Sequence, residues 1–195
     1  MPEVELPNPE ELEEAKSHTF TRRVALTTAL FAVLLAITSL GGSNAMKEML
    51  LSQQQASDQW AFYQAKAMRE HYYRGQKMRL ELDLLEKDTL KPEIKKRYED
   101  LLKKMSAEEA RYNAEKKEIQ KEARHLEHER DVNRNKDPYF DYAEVLLQIA
   151  IAMSAITILA HSRRVFIFAM VAAALGTLLA INGFVMLVHL PFFGH

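Results

Sequence analysis

The chain contains no cysteine, which excludes disulfide bonds, thiolate nucleophiles, iron–sulfur ligation and covalent haem attachment. Glycine and proline occur only six times each in 195 residues, and alternating apolar/polar runs are few, so little material exists for hairpin turns or sheet. Asp, Glu, Lys and Arg are missing from three long apolar runs, Val24–Leu40, Val145–Ala160 and Val165–Leu190. Proton relays and ion-coupled transporters need ionisable groups inside their spans, so that absence argues against both. No Ser-His-Asp set, Gly-rich phosphate loop or paired-carboxylate arrangement is visible, and no catalytic residue, cofactor or small-molecule substrate is expected.

What is present is charge, held in one place. Of the 26 Lys and Arg, 21 lie between Lys47 and Lys136, and 20 of the 27 Asp and Glu lie between Glu48 and Asp141. The net charge of −1 therefore covers a middle that is dense in both signs. Such a mixture belongs to a solvated helix with i,i+4 pairs and not to a nucleic-acid-binding patch. Six further acids in the first fourteen residues, among prolines, indicate an acidic tail over 1–21.

Within the charged middle, every seventh residue from Tyr98 is apolar: Tyr98, Met105, Tyr112, Ile119 and Leu126. A stripe of that period belongs to a helix lying along another helix. The preceding half carries Met46, Met49, Gln53, Ala56, Trp60, Tyr63 and Ala67, after which the stripe moves to Met68, Tyr72, Gly75, Leu82 and Leu85. Lys87-Asp88-Thr89-Leu90-Lys91-Pro92 supplies turn residues and a proline suited to a first helical turn. Two arms of nearly equal length follow, each about 60 Å long at 1.5 Å per residue. Glu108, Glu115 and Glu122 follow Leu101 at the second heptad position, so the hairpin core is expected to be thin. Asn133 to Pro138 is expected to end the second arm, and Tyr139, Phe140 and Tyr142 to form an aromatic belt at a membrane surface.

The expected architecture is thus an all-α membrane protein, three transmembrane helices with a long antiparallel coiled-coil hairpin between spans one and two. The segments are an acidic tail 1–21, span one 22–45, the hairpin 46–141, span two 142–160, a basic turn 161–164, span three 165–190 and a tail 191–195. Span one is too long for the apolar core of a cleaved signal. Arg22, Arg23 and Lys16 lie near its start, and Arg163 and Arg164 lie between spans two and three. Against Lys47, Arg130, Arg134 and Lys136 on the hairpin side, these place the N-terminus in the cytoplasm and the hairpin in the periplasm.

The runs Ala25-Leu26-Thr27-Thr28-Ala29, Gly41-Gly42-Ser43-Asn44-Ala45 and Asp58-Gln59-Trp60-Ala61-Phe62-Tyr63-Gln64-Ala65-Lys66 resemble an uncharacterised bacterial membrane family known only as a domain of unknown function. The resemblance implies a three-span bacterial inner-membrane protein and brings no activity or cofactor with it.

Candidate interaction residues come in three groups. Ala25, Ala29, Ala32, Ala36, Ser39 and Ser43 form a small-residue seam on span one, the kind along which membrane helices approach closely. Trp60 and Tyr63, with Asp58, Phe62, Lys66 and Arg69 beside them, are either an interface anchor or hairpin core. In span three, Gly176 belongs to a small-residue face with Ala172, Ala180 and Gly183, and Asn182 is either glue between helices or a pore-lining group, as are Gln148 and Thr177. His125, His128 and Glu129 have metal-like spacing but sit on a charged helical face, and no metal is expected there. His161 and His189 fall at opposite ends of spans and are not expected to share a haem. The expected role is a structural or interaction protein, a homo-oligomeric scaffold or an accessory subunit of a larger complex, with membrane lipid as surroundings. The alternative is an oligomeric channel or transport component.

Overall fold

In the computed structural model, residues 9–86 and 90–188 are described, and among them there are three α-helices and no strand. Helix α1 spans Pro9–Glu86, α2 Pro92–Ala160 and α3 Arg163–Val185. All three contain a stretch long and apolar enough to cross a membrane. The turn expected at Lys87-Asp88-Thr89 and the tail 191–195 lie outside the described residues. Helix α1 already runs from Pro9, so the latter part of the expected acidic tail is helical. At the start of α2, the Lys91 carbonyl accepts from the amides of Ile94 (2.9 Å) and Lys95 (3.1 Å), with Pro92 in the first turn where it needs no donor.

The chain divides into two compact units. One contains the residues up to Glu48 and from Val132 onward, and the other is Met49–Asp131. The first is the three-helix apolar unit. Its centre is Phe31, Leu147, Ala150, Ala172 and Ala173, with Leu34, Leu35 and Ile151 against them. On the α1 part of this unit Val24, Phe31, Thr38 and Ala45 are buried at a heptad interval, with Gly41 buried beside them. The faces that meet them are lined by alanine and glycine: Ala143 and Ala150 on α2, and Ala169, Ala172, Ala173, Gly176, Ala180 and Gly183 on α3. A Cβ placed on Gly176 would stand 3.0 Å from the Ala143 carbonyl oxygen and 3.1 Å from Leu146 Cβ. Gly41, Gly42 and Gly183 make room for the Phe140 ring in the same way, and Phe184 meets that ring edge-on at 4.9 Å. The buried hydroxyls of Thr38, Ser154 and Thr157 each donate to a carbonyl one turn earlier in their own helix, to Leu34, Ala150 and Met153.

Four sequence expectations are corrected in this unit. The second arm does not end at Asn133–Pro138: α2 is continuous, with Pro138 inside it. An internal proline costs roughly 3 kcal/mol through a lost hydrogen bond and a crowded carbonyl. Tyr139 and Phe140, immediately beyond it, are buried, and fully burying a large apolar side chain returns about 1.5–3 kcal/mol. Two such residues offset the break. For the same reason these two rings are not a surface belt; only Tyr142 is exposed. The turn between spans two and three is shorter than expected, since Arg163 and Arg164 already belong to the first turn of α3. Finally, α3 stops at Val185 rather than continuing to 190. Met186 adopts the left-handed conformation (φ 53°, ψ 42°), and its amide donates to the Asn182 carbonyl at 2.7 Å. Glycine usually occupies that position, so the sequence carried no stop signal.

The second unit is the hairpin, an antiparallel pair formed by the later half of α1 and the earlier half of α2. Cross-helix bonds fix its register. The Arg130 guanidinium donates to the Gln53 amide oxygen (3.0 Å), Trp60 Nε1 to Glu127 (2.9 Å) and Arg74 Nε to Glu109 (2.8 Å). The heptad stripe named above faces inward, with Tyr112 and Leu126 buried and Tyr98, Met105 and Ile119 partly so.

Candidate functional site

The inner face of the hairpin is built around a buried acid. Glu70 falls one heptad beyond Tyr63 and two beyond Ala56, so helical periodicity turns it inward. Its side chain is 1% exposed. Lys116 and Asn113 Nδ2 (3.0 Å) donate to it from α2, and Arg74 Nη2 (2.7 Å) from its own helix one turn on. The Lys116 hydrogen bond is the largest influence on its acidity. It holds the carboxyl below the ordinary glutamate range against the opposing effect of burial, with Asn113 and Arg74 adding to it. Glu109 is lowered by Arg74 and then Lys77, and Glu115 chiefly by Lys66. One turn away, Tyr73 stacks on Tyr112 (5.6 Å, 14°), and the Arg111 guanidinium lies 4.7 Å from the Tyr112 ring centre. Charged and aromatic groups thus do in the hairpin what alanine and glycine do among the spans.

Trp60 and Tyr63 take their places in this inner layer. Both are half-buried, their rings meet edge-on at 5.3 Å, and the Trp60 N–H is occupied by Glu127.

The outer face of the first arm is different, and here the expected contact stripe is corrected. Met68 (75% exposed), Tyr72, Leu82 and Leu85 (76%) point away from the second arm, and Met78 joins them. Gly75, in the middle, has nothing within 4 Å of where a Cβ would be. The sequence showed these residues as the continuation of the Trp60 stripe. The inward positions went instead to Glu70 and Lys77, because their charges find partners on α2. This outward apolar row, on an otherwise charged hairpin, was missed as a surface; apolar periodicity marks a contact face without saying who makes the contact.

Among the spans, Ala25, Ala29, Ala32 and Ala36 are exposed and Ser39 is partly so. The seam faces outward, and α1 meets α2 and α3 through the neighbouring row from Val24 to Ala45. Gly176 lies at the α2–α3 contact. The Asn182 amide is taken up at the end of α3, donating to the Val188 carbonyl (2.8 Å) and accepting from its amide (2.9 Å), while Tyr139 also donates to that carbonyl. Thr177 donates to Ala173, and Gln148 is exposed. His161 is exposed in the α2–α3 turn and His189 lies outside the described residues. His125 Nδ1 stands 3.7 Å from Glu129, and no group of three metal-ligating side chains occurs among the described residues.

Comparison with curated proteins and with solved structures returned no match. A family model described as a domain of unknown function, DUF4337, matches residues 20–186. That match takes in the three apolar stretches and the whole hairpin between the first two, and the chain is therefore a member of the DUF4337 family.

Proposed function

We propose that this protein is a non-enzymatic interaction subunit of a bacterial inner membrane, anchored by three spans and presenting its hairpin to a partner helix outside the bilayer. The carrying observation is the outward row Met68, Tyr72, Met78, Leu82 and Leu85 around Gly75, large apolar groups left in water on a hairpin that satisfies its own core without them. Exposed contiguous apolar rows mark interaction surfaces. The outward seam Ala25, Ala29, Ala32 and Ala36 gives the same protein a second contact face within the membrane. The basic residues near the span ends favour a cytoplasmic N-terminus and a periplasmic hairpin.

Charge narrows the partner. Two copies in one membrane run their first arms parallel. With Met68, Gly75 and Leu82 in one core position and Met78 and Leu85 in the other, such pairing sets Arg74 of one copy opposite Arg79 of the next, and Glu81 opposite Glu86. Like charges at those flanking positions disfavour it. The row better fits a helix running the opposite way: the second arm of a neighbouring copy, or a helix of another subunit.

The test is native mass measurement of the complex released in mild detergent, for wild type and for the Met68→Glu/Leu82→Glu double variant. Both substitutions lie on the exposed face and leave the inner network intact. The wild type is expected in a larger assembly and the variant as a smaller species. A variant that keeps the wild-type mass overturns the assignment of this face.

A further inference from the structure

Four arginines are gathered at one end of the apolar unit. Phe20 on α1 and Phe166 on α3 meet edge-on with ring centres 6.0 Å apart. That contact brings Arg22 and Arg23, two and three residues beyond Phe20, to the same end as Arg163 and Arg164, which precede Phe166 by three and two. All four are exposed. Among the described residues every ion pair lies between Lys66 and Asp131, and none includes these arginines. The nearest acids upstream on α1 are Glu14, Glu13, Glu11 and Glu10, eight to twelve residues before Arg22. At 1.5 Å per residue that is about 12–18 Å along the helix from Arg22, more than the ~8 Å screening length at physiological salt. None of the four has an ion-pair partner among the described residues.

We infer that this arginine collar binds the headgroup of an anionic phospholipid carrying two phosphates, of the diphosphatidylglycerol class. The inference rests on the membrane reading above and adds to it a specific lipid chemistry. Helices α1 and α3 run in the same direction, so the two arginine pairs are staggered by roughly five residues, about 7–8 Å along the axis. Each pair suits one phosphate, because a guanidinium offers parallel N–H donors to two phosphate oxygens. The collar also lies where headgroups would be: apolar residues begin at Val24 on α1 and at Val165 on α3, immediately on the inner side of both pairs. Phe20 and Phe166 supply an apolar wall beside them, suited to the glycerol and upper acyl region. Zwitterionic lipids bring a cation with their phosphate and gain less from four arginines.

Full-length protein, purified in mild detergent, is offered diphosphatidylglycerol or phosphatidylethanolamine, and retained lipid is read by native mass spectrometry. Wild type is expected to keep the anionic lipid in clear preference. Arg163→Gln/Arg164→Gln is expected to lower that retention roughly thirtyfold, at about 1 kcal/mol for each basic residue near the surface. Since these arginines also bear on insertion, Arg163→Lys/Arg164→Lys keeps the charge while removing the planar fork, and is expected to weaken retention several-fold with insertion unchanged. Equal retention of the two lipids by wild type, or undiminished preference in both variants, overturns the assignment. Displacement of the lipid by excess inorganic phosphate would make the ligand a soluble phosphate and overturn it equally. Alkaline carbonate extraction of the wild type separates this from the wider reading: a chain released as soluble was never embedded, whereas an embedded chain without lipid preference loses only the collar.

Discussion

The two units solve the same problem, holding helices side by side, with opposite materials. Among the spans most of the close contacts are alanine and glycine, and a Cβ at Gly176 would stand only 3.0 Å from the Ala143 carbonyl oxygen. In the hairpin the contacts are Tyr112, Leu126 and a buried glutamate with its cations. Where helices have no hydrophobic gain from meeting, close approach of backbones must supply the attraction. Where water is the alternative, apolar burial is available, and charges can be used for register at a cost in stability. The difference teaches that residue type alone does not mark the inside of a helix pair; the medium decides which types belong there.

The largest expected effect breaks the hairpin half of this comparison. Glu70→Ala leaves Lys116 and Arg74 facing a gap, and removing one partner of a buried ion pair costs about 3–5 kcal/mol. Arg74 is partly in water, so the low end, about 3 kcal/mol, is expected. Amide exchange in the hairpin of the solubilised protein would accelerate accordingly, while amides of α3 would not. Uniform acceleration in both units would show that the two are not separately held.

Acidification should separate the units by sign. Glu70, Glu109 and Glu115 have lowered pKa values in the folded state. Their stabilising contribution is complete above the ordinary glutamate range, about pH 4–5, and is lost as pH falls through the lower folded values. Asp137, before the apolar stretch of α2, is shifted the other way, raised by burial and then by Asp141. A raised acid is more readily protonated in the folded state, so over the interval between its ordinary and raised values its contribution improves as pH falls. Exchange protection measured on titration downward from neutrality should weaken first in the hairpin. Protection lost first around Asp137 would contradict this order.

The smallest effects sharpen the contrast most, because one substitution changes sign between the two units. Gly176→Ala pushes a methyl group against the Ala143 carbonyl and should cost about 1–3 kcal/mol, as overpacking does. Gly75→Ala meets open space and should stabilise the isolated protein by about 0.5–1 kcal/mol through helix propensity. Thermal unfolding of the two variants should move in opposite directions. A destabilising Gly75→Ala would mean that the outer row is covered by a helix packed too closely to admit a methyl group.

Much of the candidate surface was visible in the sequence without its assignment. The row from Met68 to Leu85 has helical contact spacing, but it competes with Glu70 and Lys77 for the inward positions. Glu70 and Lys77 win because Lys116, Asn113 and Glu109 stand opposite them on α2, and such complementarity appears only when the two arms are set in register. The collar was equally visible as two Arg-Arg pairs, which charge counting used for orientation alone; the Phe20–Phe166 contact is what gathers them.

The sequence by itself determined that there are three long apolar stretches, that a charged heptad-bearing hairpin separates the first two, and that helices account for nearly everything. Those features depend on composition and period, which are local properties of the chain. Only the tertiary structure decided that α2 passes through Pro138, that α3 halts at Val185, and that the Ala25–Ala36 seam and the Met68–Leu85 row face outward. In the spans every face is apolar, so hydropathy cannot tell the packed side from the outer one. In the hairpin, paired charges make the inner side polar enough to be mistaken for the outside. A proline or a missing glycine is likewise a local preference of a few kcal/mol, and the burial of Tyr139 and Phe140 or the twofold grip of Asn182 on Val188 is enough to override it.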